Sequence, residues 1–496
     1  MFKKILVANR GEIARRVMNT CGEMDIGTVA VYSDADRAAA HVLDADEAVY
    51  LGSSEPAESY LNVDKIIDAA KRTGSEAIHP GYGFLAENAD FAARVEKEGL
   101  VFIGPPSKVI RDLGDKITAR RIMARGDVPI SPGTDQSDAD PDKMAMEADR
   151  IGYPVMIKAT AGGGGKGIRV VNSREEIADA CAGASSEAES AFGDGSVYIE
   201  KFFTKARHVE FQILADTHGN VVHLLERECS VQRRHQKIIE ESPSPALTPE
   251  LREEMGKAAV AAAKASGYVN AGTVEFLLDE DKKFYFLEVN TRLQVEHPVT
   301  EMITGIDIVR KQIEIAAGDK LTLKREDIRG NGHAIECRIY AEDPENDFMP
   351  SPGKIEFINE PSGPGIRNDC GVYAGFEVPV DYDPIISKLI AHAGDRQQAI
   401  SRMTGALRDY TIAGVKTPIP FLIDILESEP FRAGNVFTDF INEHFSDWKP
   451  ATPDLKAALA AYVIDEIRGK VGTGSKKYVE DRIPSPFQTL GNWRAN

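Results

Sequence analysis

PVMIKATAGGGGKGIRVV, residues 154–171, places four consecutive glycines and a lysine between two apolar runs. A Walker A loop requires G-x-x-x-x-G-K-[ST]. Counting back from Gly165 and Lys166, the first glycine of that pattern falls on Thr160, and the hydroxyl residue after the lysine falls on Gly167. Both anchors fail. Gly162, Gly164 and Gly167 satisfy G-x-G-x-x-G, but a dinucleotide fingerprint lies between a strand and a helix. Here YPVMIKA before the loop and GIRVV after it both read as strands, so the loop is a hairpin tip. Glycines at such a tip permit positive φ and close approach to a ligand. Their N–H groups fold over phosphates as a lid, with Lys158 and Lys166 supplying charge; taken alone, the same stretch also reads as a flexible turn.

The surrounding 496 residues fit about three domains at roughly 150 residues each. Net charge is −19, which argues against nucleic acid or an anionic membrane as the main partner. Phosphate binding must come from a local concentration of cations and backbone N–H groups. Five cysteines without a C-x-x-C pair suggest neither a zinc site nor a disulfide framework, and fit the reduced cytoplasm. The N-terminus lacks a signal-like apolar region, and no apolar run approaches the ~20 residues of a membrane span.

Residues 1–113 alternate short apolar strands (KILVA, TVAVYS, EAIHPG, LVFIG) with helical segments, which predicts a Rossmann-like parallel sheet in an α/β chain. A helical stretch near 110–126 leads into a strand-rich region over 114–330. A third region covers 331–446 and opens on the strand HAIECRIYAE. The extension 447–496 carries a helical pattern, LKAALAAYVIDEIRGK, and then a linker-like VGTGSKK.

Two further stretches carry chemistry. In GTVEFLLDEDKKFYFLEVNTRLQVEHP, 272–298, two strands flank a four-residue loop at 279–282. Alternation places Phe286, Glu288 and Asn290 on one face; pairing Leu278 with Lys283 makes Glu288 a diagonal neighbour of Glu275. Two carboxylates and an amide oxygen then converge on a patch that suits Mg²⁺ or Mn²⁺ shared with a substrate phosphate. In ERECSVQRRHQKIIEE, 226–241, Arg233, Arg234, His235 and Lys237 form a basic run fenced by glutamates. That pattern fits an enclosed site for a small oxyanion, or a salt-bridged surface strand. Taken alone, His208 reads as a structural histidine, Arg338 as a surface ion pair, His79 as structural and Cys229 as a buried small residue.

Together with ANRGEIA (8–14) and HPGYGFLAEN (79–88), these stretches resemble the biotin carboxylases of the ATP-grasp superfamily, from residue 1 to about 446. The resemblance implies a Rossmann-like N-terminal domain (1–113), an ATP-grasp domain (114–330) whose glycine-rich lid covers about 131–204, and an α+β C-terminal domain (331–446). It implies ATP-dependent carboxylation of biotin with bicarbonate through carboxyphosphate. Lys116, Lys158, Gly163, Gly164, Gly165, Lys166, Glu200, Phe203, His208, Gln232, His235 and Leu277 match nucleotide positions. Glu275, Glu288 and Asn290 match the metal site. Lys237, Arg292, Gln294 and Val295 match bicarbonate positions, Glu296 the general base, and Arg338 with Tyr82 positions near biotin. The cofactors implied are ATP, Mg²⁺ or Mn²⁺, and biotin supplied in trans, since no Met-Lys-Met triplet occurs. A biotin carboxyl carrier protein, a carboxyltransferase and a homodimer are implied as well. The acceptor is expected to be acetyl-CoA, with pyruvate or propionyl-CoA as alternatives, and residues 447–496 are expected to dock a partner. Two competing readings are another ATP-grasp ligase and a non-catalytic nucleotide-binding subunit. The first does not account for RRHQK, RLQVEHP and Arg338; the second predicts losses among Lys237, Arg292 and Glu296, all of which are present.

Overall fold

Five parallel strands, β1 (Lys4–Val7), β2 (Gly27–Ser33), β3 (Glu47–Gly52), β4 (Ala77–His79) and β5 (Val101–Phe102), form the first sheet in the order β3-β2-β1-β4-β5. In this computed structural model, residues 1–138, 140–160, 168–234, 236–451 and 463 are described. Parallel strands buried on both faces must be apolar throughout, and Ile5, Leu6 and Val7 are inaccessible to solvent. The chain turns from β1 into helix α1 (Gly11–Glu23) at Gly11, whose φ of +64° lies in the left-handed region. Ile13, Val17 and Cys21 of α1 then pack against Ile5 and Val7. Asn62 and Asn88 cap the crossover helices Val63–Thr73 and Ala89–Lys97 by accepting the N–H groups of Lys65 and Phe91.

The helical stretch expected near 110–126 is two helices, Ser107–Gly114 and Lys116–Arg125. Asp115 separates them because its Oδ1 accepts the Thr118 N–H at 2.7 Å and starts a new helix. The apolar runs of the glycine-rich hairpin are antiparallel strands, β6 (Val155–Ala159) and β7 (Ile168–Val171), with β8 (Val197–Lys201) on the other side of β6. Val155, Ile157, Val171, Val197 and Ile199 face Met144, Ala148, Cys181 and Ala184 of two covering helices, a small core of their own. The tip, with Gly163, Gly164, Gly165 and Lys166, lies outside the described residues, as do His235 and nearly all of 452–496.

The largest sheet holds β9 (Ala206–Ala215), β10 (Val221–Arg233), β11 (Gln236–Ser242), β12 (Asn270–Asp279), β13 (Phe284–Asn290) and β14 (His333–Tyr340). The strands Ile385–Ala393 and Ile366–Cys370 complete it, in the order β13-β12-β9-β10-β11-β14 and then these two, all antiparallel. It runs unbroken past residue 330, because β11 pairs with β14. One face is apolar: Val209, Phe211, Val274, Phe276 and Phe286 share a core with Met255, Ala259 and Ala263 of the helix Pro249–Ser266.

The β12–β13 register differs from the sequence expectation. Phe284, not Lys283, opposes Leu278, since the Lys283 N–H is taken by Asp279 Oδ1 at 2.8 Å. A bulge then inserts one residue between Phe286, which opposes Phe276, and Glu288, which directly opposes Glu275. Phe286 therefore turns into the core and Glu288 to the other face. The two carboxylates are direct rather than diagonal neighbours. Met1–Trp448 forms one compact unit, and Lys449–Asn496 is a second. Among the described residues no helix is long and apolar enough to cross a membrane.

Candidate active site

The face of the large sheet opposite the apolar core carries a stripe of ionisable side chains, nearly all buried. Burial of so many charges is tolerable only where each is paired or hydrogen-bonded. Lys237 is at the centre, its Nζ lying 2.5 Å from Glu210 Oε2, 2.8 Å from Glu275 Oε1 and 2.6 Å from Glu296 Oε1. All three ammonium hydrogens are thus used. Burial opposes its charge, but the three carboxylates outweigh it and hold Lys237 firmly protonated.

Glu296 sits just before the helix His297–Thr304, whose first turn carries Pro298, and is inaccessible to solvent. His297 Nδ1 lies 2.7 Å from Gln294 O and closes the turn. Arg338 on β14 donates Nη2 to Glu296 Oε2 at 2.9 Å and Nε to Glu240 Oε1 at 2.6 Å. It is buried, not the surface ion pair its strand context suggests. Burial works against the Glu296 charge, yet Lys237 and Arg338 hold its carboxyl below the usual range.

Arg292 donates Nε to Glu87 Oε2 at 2.9 Å, Nη1 to Gln294 Oε1 at 2.9 Å and Nη2 to Asn290 Oδ1 at 3.2 Å. Glu87, in the HPGYGFLAEN segment, also accepts the Thr291 N–H at 3.0 Å. Val295 O accepts from Lys388 Nζ at 3.2 Å. That lysine is fully buried and lies 3.0 Å from Glu12 Oε2, while Tyr82 donates its hydroxyl to Glu12 Oε1.

Towards β13, Asn290 Nδ2 and Gln294 Nε2 both donate to Glu275 Oε1, at 2.8 and 3.2 Å. His208 Nε2 lies 2.9 Å from Glu275 Oε2, and Gln232 Nε2 is 2.7 Å from His208 Nδ1. Burial penalises a charged His208, but Glu275 prevails and its pKa is raised. Burial and the facing Glu275 push the Glu288 carboxyl up, against the pull of Lys116 and Lys158. A buried and a half-buried carboxylate facing each other, with an amide beside them, fit a hard divalent cation, which would relieve that repulsion. Lys116 opens its helix beside this pair, and burial lowers its pKa. Lys158 is paired with Glu200, which also accepts from Ser131 Oγ at 3.1 Å. Phe203 stacks on Tyr285 at 4.7 Å between ring centroids, and Tyr285 is the ladder partner of Leu277, an apolar patch at the edge of the stripe. His79 is structural: its buried Nδ1 accepts the Gly81 N–H at 3.0 Å. Cys229 is fully buried, and burial raises its thiol well above the usual value.

A Rossmann-like sheet, a strand hairpin bearing a glycine-rich tip and a charged sheet face define an ATP-grasp enzyme. Three family models match the chain: biotin carboxylase N-terminal domain over 1–110, carbamoyl-phosphate synthase L chain ATP binding domain over 115–324, and biotin carboxylase C-terminal domain over 336–443. The chain is 56% identical over 444 residues to a pyruvate carboxylase subunit from Methanothermobacter thermautotrophicus, covering 90% of each. It is 52% identical to biotin carboxylase 2 of Bacillus subtilis, covering 90% of this chain and 100% of that one. It is also 52% identical over 500 residues to the alpha subunit of mitochondrial methylcrotonoyl-CoA carboxylase from Mus musculus, covering 99% of this chain and 69% of that one. Among solved structures, the biotin carboxylase domain dimer of Hydrogenobacter thermophilus 2-oxoglutarate carboxylase, in complex with MgADP, ADP and bicarbonate, superposes with a TM-score of 0.88 at 51% identity. That match covers 91% of this chain and 100% of that one. The chain belongs to the biotin carboxylase family of ATP-dependent ligases.

Proposed function

We propose that this chain carboxylates biotin with bicarbonate at the expense of ATP, and that the carrying observation is the Lys237–Glu296–Arg338 chain of contacts. One buried carboxylate bridges two fixed cations there, 2.6 Å from one and 2.9 Å from the other. Bicarbonate is an anion that must approach an anionic phosphoryl group, so fixed cations have to hold it in place. Arg292 and Lys237, with Gln294 and the Val295 backbone, hold bicarbonate; Glu296, ionised at neutral pH, takes its proton. Attack on the γ-phosphoryl of ATP gives carboxyphosphate and ADP. Glu275, Glu288 and Asn290 would hold Mg²⁺ or Mn²⁺, which offsets phosphate charge. Lys116 and Lys158 supply further positive charge, and Glu200, Phe203, His208, Gln232 and Leu277 line the nucleotide's place. Carboxyphosphate breaks to CO₂ and phosphate, phosphate removes the ureido proton of biotin, and Arg338 steadies the oxygen that gains charge, with Tyr82 beside the ring. The sequence pattern assigns the exclusion of water during the transfer to the glycine-rich stretch 161–167.

Biotin arrives on a carrier protein, and a carboxyltransferase consumes the product; the enzyme works as a homodimer. Five free, buried cysteines suit a reducing cytoplasm. Acetyl-CoA is the default final acceptor, and pyruvate fits the archaeal relative equally. A branched acyl-CoA is a second reading, because the likeness to the mouse protein extends over 99% of this chain and so into the extension after residue 446.

With MgATP and bicarbonate, free biotin is expected to raise ADP release several-fold and to fix labelled bicarbonate, and EDTA to stop both. ATP turnover indifferent to bicarbonate would reject the reading. Replacing Lys388 with methionine deletes the cation that holds the Val295 carbonyl. The KM for bicarbonate should rise about tenfold, the worth of one charged hydrogen bond, with MgATP binding kept. An unchanged bicarbonate KM would rule out that positioning role.

A further inference from the structure

Glu240 on β11 and Glu336 on β14 face each other across the ladder, and neither is accessible to solvent. Directly opposed residues of an antiparallel pair project to the same side. Glu240 Oε1 accepts from Arg338 Nε, but Glu240 Oε2 and both oxygens of Glu336 have no donor. Three buried carboxylate oxygens without a donor would be costly.

The surrounding cations do not resolve this. Lys237, on β11, is shared among Glu210, Glu275 and Glu296. Arg338, on β14, is divided between Glu240 and Glu296. Lys388, on the neighbouring strand, is held by Glu12, with Asp369 3.9 Å away. Glu296 adds another negative charge from the turn. Two carboxylates that face each other with only one divided cation between them share one proton.

We propose that Glu336 is a positioning residue for Arg338, a neutral carboxylic acid whose O–H donates to Glu240. Its ligand is therefore another carboxylate of the same chain. Glu240 keeps its charge and clamps Arg338 Nε, which leaves the far side of the guanidinium aimed at Glu296. Burial and then the Glu240 charge push the Glu336 carboxyl well up, and burial pushes Glu240 up to about 7. A raised carboxyl keeps its proton at low and neutral pH and loses it as pH rises. Turnover should therefore fall on the alkaline side as the pair becomes doubly charged and Arg338 loses its aim. The consequence for turnover rests on the biotin carboxylase reading above; the shared proton does not.

Three measurements test it. Glu336→Ala should raise the KM for free biotin about tenfold while MgATP binding persists. Glu336→Gln keeps a neutral donor, so it should restore most of that loss and remove the alkaline fall. An alkaline limb unchanged in Glu336→Gln, or damage equal to that of Glu336→Ala, would overturn the proposal. Infrared spectra of the protein without substrates should show a protonated carboxyl C=O band at pH 7 that disappears in Glu336→Gln. Absence of that band from the unmodified protein overturns the shared proton whether or not the enzyme turns over. A band accompanied by bicarbonate-independent ATP turnover would instead overturn the functional reading.

Discussion

Replacing Glu296 with alanine is expected to lower bicarbonate-dependent ATP turnover about 10²- to 10⁴-fold, the usual contribution of a positioned general base. MgATP affinity should stay within a few-fold, since the expected nucleotide positions Lys116, Lys158 and Phe203 have other partners. Glu296 is the only described carboxylate that contacts both Lys237 and Arg338. Lys237 carries bicarbonate in the proposed mechanism and Arg338 the biotin oxygen, so Glu296 lies between both reacting partners. Glu296→Gln separates base chemistry from scaffolding, because an amide oxygen still accepts from both cations but cannot hold the proton. Near-normal turnover in Glu296→Gln would reject the base and leave only a structural role. An equally deep loss in both variants, with intact MgATP binding, is the expected result.

How much of this was legible in the sequence depends on how local the cause was. The parallel sheet could be read from apolar runs alternating with helical segments, each within about a dozen residues. The glycine-rich hairpin could be read from two failed Walker anchors and the strands on either side. The Glu275–Glu288 relationship was half legible: both residues stand out as a pair, but one bulged residue reversed the face of Phe286 and made the carboxylates direct neighbours. A bulge of this kind has no glycine or proline to announce it. Glu210, Arg227 and Lys388 escaped notice for another reason. They occupy strands buried on both faces, where alternation of polar and apolar residues does not tell water from interior. Glu12 and Lys388 meet only through tertiary structure, from opposite ends of the compact unit. Glu87 stands inside the HPGYGFLAEN motif, and an acidic residue before a capping Asn88 looks like ordinary helix-start chemistry. Only its bond to Arg292 reveals the link.

The largest stability effect is expected at Arg227, the bulkiest fully buried side chain of the charged stripe. Its Nε lies 2.5 Å from Glu210 Oε1, and Nη1 donates to Gln212 Oε1 at 2.9 Å and to Thr300 Oγ1 at 3.0 Å. Nη2 donates to Thr273 Oγ1 at 3.0 Å. One guanidinium thus ties β9, β10, β12 and the helix after Glu296 together. Arg227→Met keeps most of the volume but strands part of the Glu210 charge and leaves three polar side chains short of a donor. Breaking one side of a buried pair costs about 3–5 kcal/mol. Because a chain of several domains need not unfold in one step, the loss is best read locally. Amide exchange in β9 and β12 should speed up about 150- to 4,000-fold, the same energy expressed as an opening constant. The parallel sheet of residues 4–102 should keep its protection. Arg227→Lys retains the charge yet cannot reach β9, β12 and the helix at once, so it should fall between the unmodified protein and Arg227→Met. Exchange altered less than about tenfold in Arg227→Met would mean that Lys237 alone satisfies Glu210, and the arginine would then be packing rather than a tie.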